Sequence, residues 1–167
     1  MANTRKIIMT GLFAACALAV NLAEGILPMP FPGVKLGLAN IFALAALILF
    51  GVRTAFAVTL LRVFLAWLLS GNIFAFVCSA CGAIPSVAVM TLLYKRDDRN
   101  GEIFSVPWIS VAGAWAFNIG QVAAVTFMLN DLRVAFYLLP LFAVGSAAGW
   151  AVGRTAEILA DRLRKIM

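Results

Sequence analysis

Polar side chains lie inside apolar segments of this chain, where each is costly unless a polar partner meets it. Five of them are the candidate substrate-binding residues: Lys35, Asn40, Arg62, Asn118 and Gln121. Arg62 lies near the middle of its segment, and Asn118 and Gln121 share one helical face because they are three residues apart. A pocket with two cations and several carboxamides would bind a small molecule that is anionic or carries an amide.

Two interpretations of these polar residues are open. In the first they satisfy one another: Arg62 pairs with Glu24, and Asn118 bonds a neighbouring helix. In the second they line one pocket that opens outward, with Lys35 at its lip. The pocket is our prediction, because an arginine within a membrane span indicates a functional site. The aromatic residues that could form its walls are Trp67, Phe74, Phe76, Trp108, Trp115 and Phe117.

Several kinds of chemistry are not predicted. The chain has no histidine, which is the commonest metal ligand and general base. Its cysteines, Cys16, Cys78 and Cys81, lie in apolar segments and suggest no disulfide framework. The pair Cys78–Cys81 has the CxxC spacing but no second pair beside it. Because Walker and Gly-rich phosphate motifs are also missing, we expect no catalytic residue, metal, cofactor or ATP hydrolysis.

The elements that must position the candidates are apolar segments long enough to cross a membrane. Of the 167 residues 64% are hydrophobic and 12% are charged, against about 25% charged in soluble domains. We therefore predict an all-α membrane protein with six transmembrane helices in one integral domain, 1–167. The predicted segments are 7–23, 34–50, 54–69, 73–94, 106–129 and 134–152.

The charge distribution predicts the orientation and the location. With both termini cytoplasmic, ten of the thirteen basic residues lie inside, which accounts for the net charge of +6 without nucleic acid. These ten are Arg5, Lys6, Arg53, Lys95, Arg96, Arg99, Arg154, Arg162, Arg164 and Lys165. We expect a multi-pass protein of the bacterial plasma membrane, in contact with lipid. The polar residues 95–102 are predicted to be a cytoplasmic loop, and the tail 154–167 an amphipathic helix on the membrane surface.

Small residues recur every fourth position in the first segment, at Gly11, Ala15, Ala19 and Ala23. This spacing lets another helix approach closely. Two interpretations remain open: packing within this bundle, or docking to a separate membrane partner.

Four blocks of sequence carry a resemblance to a known family. They are PGVKLGLANI (32–41), RVFLAWLLSGNIFAF (62–76), SACGAIPSVAVM (79–90) and VAGAWAFNIGQ (111–121). Over nearly its whole length the chain resembles the Gx transporter family, also labelled heptaprenyl diphosphate synthase component I. That family is similar to the substrate-binding S components of energy-coupling factor (ECF) transporters.

The resemblance implies a compact six-helix bundle that binds a small molecule from outside. Such S components work with a membrane scaffold subunit and two cytoplasmic ATPases. Gly11, Ala15 and Ala19 stand where the scaffold-docking motif of S components lies, and the proline-rich residues 27–34 are a candidate lid. The implied function is therefore the substrate-binding subunit of an uptake transporter, and not an enzyme.

The synthase label implies an alternative, a membrane subunit associated with heptaprenyl diphosphate synthase. Such a subunit would be non-catalytic, because the chain has no aspartate-rich DDxxD motif for Mg²⁺-diphosphate binding. A third alternative is a membrane subunit of an electron-transfer or quinone-related assembly, which the apolar composition also allows.

Overall fold

The computed structural model describes residues 2–25, 35–100 and 104–166, and all regular secondary structure within these ranges is helical. The predicted all-α, six-helix architecture is therefore confirmed. A six-residue 3₁₀ helix, Leu132–Tyr137, precedes the last helix. The α-helices are α1 (Ala2–Glu24), α2 (Asn40–Phe50), α3 (Val52–Ser70), α4 (Ile73–Asn100), α5 (Val106–Leu129) and α6 (Leu138–Ile166).

Five of the six helices are long and apolar enough to cross a membrane, and α2 is the exception. With 11 residues α2 rises only about 16 Å, about half of a 30 Å hydrocarbon core. The predicted second segment, 34–50, is thus helical only from Asn40 onward. The bundle consists of five full-length helices and one half-length helix.

Backbone conformation and buried apolar residues explain where α2 lies. Gly37 has φ +83°, which L-residues with a side chain rarely adopt, so the chain is bent before the helix begins. Gly51, at φ +84°, joins α2 to α3 within one residue. The centre of α2, from Leu44 to Leu47, is almost fully buried, and α2 contacts α1, α3, α4 and α6. This short helix is therefore a central element of the bundle.

Glycines hold α5 and α6 close together. Gly145, Gly149 and Gly153 recur every fourth residue on α6, and all three are buried. A Cβ at Gly149 would lie 3.0 Å from the Cα of Val111, and a Cβ at Gly145 would overlap Asn118. Small residues at this spacing allow helix backbones to approach. This second ladder, which was not among the sequence predictions, is used for packing within the bundle.

Two of the predicted boundaries, one within α4 and one within α6, differ from the structure. Residues 95–100 of the expected loop continue α4 to Asn100. Residues 154–166 are helical, as expected, but they continue α6 without a break instead of forming a separate surface helix. The reason is that Leu159 and Leu163 pack against the core cluster that contains the centre of α2.

Large apolar side chains cover much of the outer surface, as lipid contact requires. Leu68, Phe127 and Leu139 are examples that are more than half exposed. The protein is therefore a multi-pass helical bundle with large apolar residues on its outer surface, in which Arg62, Asn118 and Gln121 are buried.

A candidate binding cavity at the ends of α1, α3 and α4

Residues 35–39, here called the crossing segment, have no regular helical structure and contact both α1 and α5. Their backbone groups are bound by side chains from other helices. The backbone N–H of Lys35 donates to Gln121 Oε1 at 3.0 Å, and Gln121 Nε2 donates to the Lys35 carbonyl at 2.8 Å. The N–H of Leu38 donates to Glu24 Oε1 at 2.8 Å. These bonds replace the helical ones that non-helical backbone lacks inside a membrane protein.

The side chain of Lys35 is held by α1. Its ammonium donates to the backbone oxygen of Asn21 at 3.1 Å and to Asn21 Oδ1 at 2.9 Å. Asn21 is fully buried and was not among the predicted site residues. Its signal was present in the sequence, since Asn21 lies three residues before Glu24 and therefore on the same face of α1.

The carboxamides on α5 form a chain of hydrogen bonds from α6 to the crossing segment. Asn118 Nδ2 donates to the Leu141 carbonyl at 2.8 Å, and Gln121 Nε2 also lies 3.2 Å from Asn118 Oδ1. Separately, Asn40 Nδ2 donates to Ser86 Oγ at 3.2 Å and joins α2 to α4. For Asn118, the interpretation that it bonds a neighbouring helix is therefore correct.

Arg62 and Glu24 are each 2% exposed and interact electrostatically. Both are described residues, and they form no direct ion pair. Within the described ranges, Nη2 of Arg62 and Oε2 of Glu24 have no hydrogen-bond partner, and neither has Nδ2 of Asn21. Unsatisfied buried polar atoms are rare in native proteins and call for an explanation such as a ligand.

A cavity of about 310 Å³ lies beside these residues, at the end of the bundle where α1 and α3 finish and α4 begins. This volume is at the lower end of the range for small-molecule sites, about 300–1,000 Å³. The cavity is lined by Lys35 together with residues of all three helices. The residues from the helices and the turns next to them are Asn21, Leu22 and Gly25, then Val63, Ala66, Trp67 and Ser70, and then Asn72, Ala75, Phe76 and Ser79.

Two of the predicted aromatic residues line this cavity. The ring centroids of Trp67 and Phe76 are 5.3 Å apart, so the two rings form one aromatic wall. Trp108 and Trp115 are instead exposed on the outer surface, and Phe117 is buried in the core. Of the six aromatic residues predicted as walls, Trp67 and Phe76 thus line this cavity, and Phe74, Trp108, Trp115 and Phe117 do not.

The five candidate residues are distributed unevenly around the cavity. Lys35 lines it, whereas Asn40, Arg62, Asn118 and Gln121 are buried and are not among its lining residues. Gln121 reaches the site through its bonds to Lys35, and Arg62 precedes the lining residue Val63.

A larger groove of about 670 Å³ lies between α5 and the start of α6 and contains none of the five candidate residues. The candidate lid, 27–34, lies outside the described residues.

The small-residue ladder of α1 faces outward. Gly11, Ala15, Ala19 and Ala23 are all exposed, and a Cβ added at Gly11 would meet no atom within 4 Å. The interpretation that this ladder packs within the bundle is therefore wrong. A similar exposed row of alanines lies on α6, at Ala143, Ala147 and Ala151.

Comparison with known proteins identifies the family. The family model of heptaprenyl diphosphate synthase component I matches residues 13–159, which include α2 to α5 and most of α1 and α6. The chain belongs to the heptaprenyl diphosphate synthase component I family. The part that matches this family contains all five candidate residues and the whole cavity lining. No curated protein and no solved structure gives a significant match.

Proposed function

We propose that this protein is the substrate-binding, S-component-like subunit of a small-molecule uptake transporter in the plasma membrane. The observation that carries the proposal is the cavity beside Lys35. It is lined by Asn21, whose buried Nδ2 has no hydrogen-bond partner within the described ranges. Arg62 and Glu24, two further buried polar residues with unsatisfied atoms, lie close enough to interact with Lys35 electrostatically. A bound molecule would satisfy such atoms and would be released when the arrangement changes.

The cavity is suited to binding and not to catalysis. Its lining residues are amides, hydroxyls, a lysine and apolar groups, and Lys35 already donates to Asn21. An ammonium that donates hydrogen bonds has no lone pair with which to act as a general base. The role that fits these residues is to hold a small molecule in place.

The exposed ladder of α1 is the proposed docking site for a membrane scaffold subunit that carries the ATPases. Gly11, Ala15 and Ala19 form an exposed strip of small residues, and such a strip lets a partner helix approach to backbone distance. The ladder of α6 at Gly145 to Gly153 supports this argument, because the same spacing brings α5 and α6 together within the bundle.

Native mass spectrometry of the gently purified, full-length protein tests the binding role. We expect a discrete small-molecule adduct that is lost in Trp67→Leu, because Trp67 lines the cavity. Trp108→Leu is the matched control, since Trp108 is 61% exposed and does not line the cavity, and it should keep the adduct. A protein that carries no adduct when freshly extracted from its native membrane would contradict the proposal.

The family description favours a second candidate function. Heptaprenyl diphosphate synthase component I would be a non-catalytic membrane subunit associated with that synthase. A volume of 310 Å³ lies at the lower end of the range for sites that hold drug-sized ligands, about 300–1,000 Å³. It is too small for a chain of seven prenyl units, so the cavity would not hold the synthase product. Co-purification separates the two functions: a tight complex with a prenyl diphosphate synthase, and none with an ECF scaffold, would favour the second.

A further inference from the structure

The charges around the cavity do not balance. Lys35 and Arg62 are the cations, and Glu24 is the acid that interacts with both. The sequence 26–34, which joins Gly25 to Lys35, contains no charged residue. With all three groups ionised, the cluster therefore carries a net charge of +1. Arg62 and Glu24 are almost fully buried, and a net charge removed from water is costly unless a countercharge meets it.

Two donors at the polar end of the cavity are not fully used by the residues that the structure describes. An ammonium has three N–H groups, and the described residues account for two of those on Lys35, both donated to Asn21. Nδ2 of Asn21 belongs to the same amide that accepts from Lys35, and it has no partner within the described ranges. These donors are therefore neighbours, and both residues line the cavity. Adjacent donors beside a cation suit the two oxygens of a carboxylate.

The rest of the cavity lining is apolar and suits a flat apolar group of the ligand. Trp67 and Phe76 present adjoining rings, and Val63, Ala66 and Ala75 add apolar surface. Aromatic pairs gain energy beyond the area that they bury when a further ring meets them face-offset or edge-on. The volume of 310 Å³, at the lower end of the range for small-molecule sites, favours a small ligand with a single ring.

We propose that this cavity binds a small aromatic monocarboxylate, with its carboxylate at Lys35 and Asn21 and its ring against Trp67 and Phe76. The inference rests on the proposed function and names the substrate class of that same site. One negative charge neutralises the cluster. A neutral amide would leave the cation uncompensated, and a diphosphate would add more negative charge than the cluster balances and would be too large if it carried a prenyl chain.

The test compares probes of nearly equal size with the full-length protein in lipid nanodiscs. Benzoate is the expected ligand, benzamide has its shape without the charge, and cyclohexanecarboxylate has its charge without the flat ring. Binding is followed by saturation-transfer NMR. We expect benzoate to bind at least about tenfold more tightly than benzamide, and cyclohexanecarboxylate to be weaker than benzoate. Equal affinity of benzoate and benzamide would overturn the inference.

Substitutions of Lys35 and Trp67 test where the carboxylate and the ring of the ligand bind. Lys35→Met should remove the preference for benzoate over benzamide, whereas Trp67→Leu should weaken both aromatic probes and leave the preference for charge. Lys95→Met and Trp108→Leu are the controls, because both residues are exposed and neither lines the cavity. If Lys35→Met is not recovered as folded protein, Asn21→Leu replaces it; this variant keeps the charge of Lys35 and removes the neighbouring donor, so the preference for benzoate should be reduced.

Native mass spectrometry separates failure of this inference from failure of the proposed function. If the native adduct is an aromatic monocarboxylate that benzoate displaces, both stand. If an adduct depends on Trp67 but is neutral or cationic, the substrate class is wrong and the binding role stands. If no adduct is found and no probe binds, both are overturned.

Discussion

The side-chain amide of Gln121 forms two hydrogen bonds with the backbone of Lys35, 86 residues away in sequence. Its Oε1 accepts from the N–H at 3.0 Å, and its Nε2 donates to the carbonyl at 2.8 Å. With these two hydrogen bonds, one side chain replaces the bonds that a neighbouring backbone would make. A residue on α5 thus stabilises the non-helical segment that precedes α2.

Replacing Gln121 with leucine should therefore destabilise the bundle. Gln121→Leu keeps much of the side-chain volume but leaves the N–H and carbonyl of Lys35 unsatisfied, and each such group costs about 1–3 kcal/mol. Gln121→Glu keeps the acceptor for the Lys35 N–H and loses only the donor to the Lys35 carbonyl. It therefore leaves one of these two groups unsatisfied, whereas leucine leaves both. Thermal unfolding in detergent measures both. Ile119→Ala, at a half-exposed position on the same helix, is the control. Equal melting temperatures for Gln121→Leu and the wild type would contradict this role.

Arg62 and Glu24 should behave as a coupled pair. Arg62→Met removes one of the two cations that interact with the buried Glu24 carboxylate, and Glu24→Gln removes the acid that interacts with Arg62. Because either single change abolishes the same Arg62–Glu24 interaction, the double variant should be less destabilised than the sum of the two. We expect a coupling energy of about 0.5–3 kcal/mol from a double-mutant cycle in unfolding free energy. Additive effects would show that the two residues act independently.

Two glycine-to-alanine changes should have opposite effects. In Gly145→Ala the new methyl group would overlap Asn118, so we expect a loss of stability and a weaker bond from Asn118 to Leu141. At Gly11 a methyl group meets no atom within 4 Å, and alanine favours helix by up to about 1 kcal/mol. Gly11→Ala should therefore leave the melting temperature unchanged or raise it. A melting temperature that falls equally in both variants would refute the distinction between internal and outward ladders.

Bulk on the outward ladder should block the proposed partner without unfolding the protein. Ala15→Leu places a larger side chain on an exposed position of α1, so it should abolish co-purification with a co-expressed ECF scaffold complex. Ala147→Leu makes the same change on the exposed row of α6 and should leave the complex intact. If both variants still bind the scaffold, or if both lose it, α1 is not the specific docking surface.

The sequence alone was sufficient to predict the class of the protein and most of its helices. The fifth predicted segment, 106–129, has the same bounds as α5, because a long apolar run bounded by polar residues is a local property. The polar candidates were recognised for the same reason, since each is conspicuous within its own segment. All five prove to be buried or partly buried.

Other features depended on contacts between distant residues, which hydropathy cannot describe. The apolar segment at 34–50 appears continuous in sequence, yet α2 begins only at Asn40, because Glu24 and Gln121 satisfy the backbone before it. Asn21 became a site residue only when the fold brought Lys35 to it.

The small-residue ladders of α1 and α6 also show which features are local to the sequence and which depend on the fold. Both have a spacing of four residues, but a Cβ at Gly145 would overlap α5 whereas one at Gly11 would meet nothing. Composition and spacing determine that a face of a helix is small and apolar. Only the tertiary arrangement decides whether another helix of the same chain covers that face, because covering depends on the positions of all the other helices.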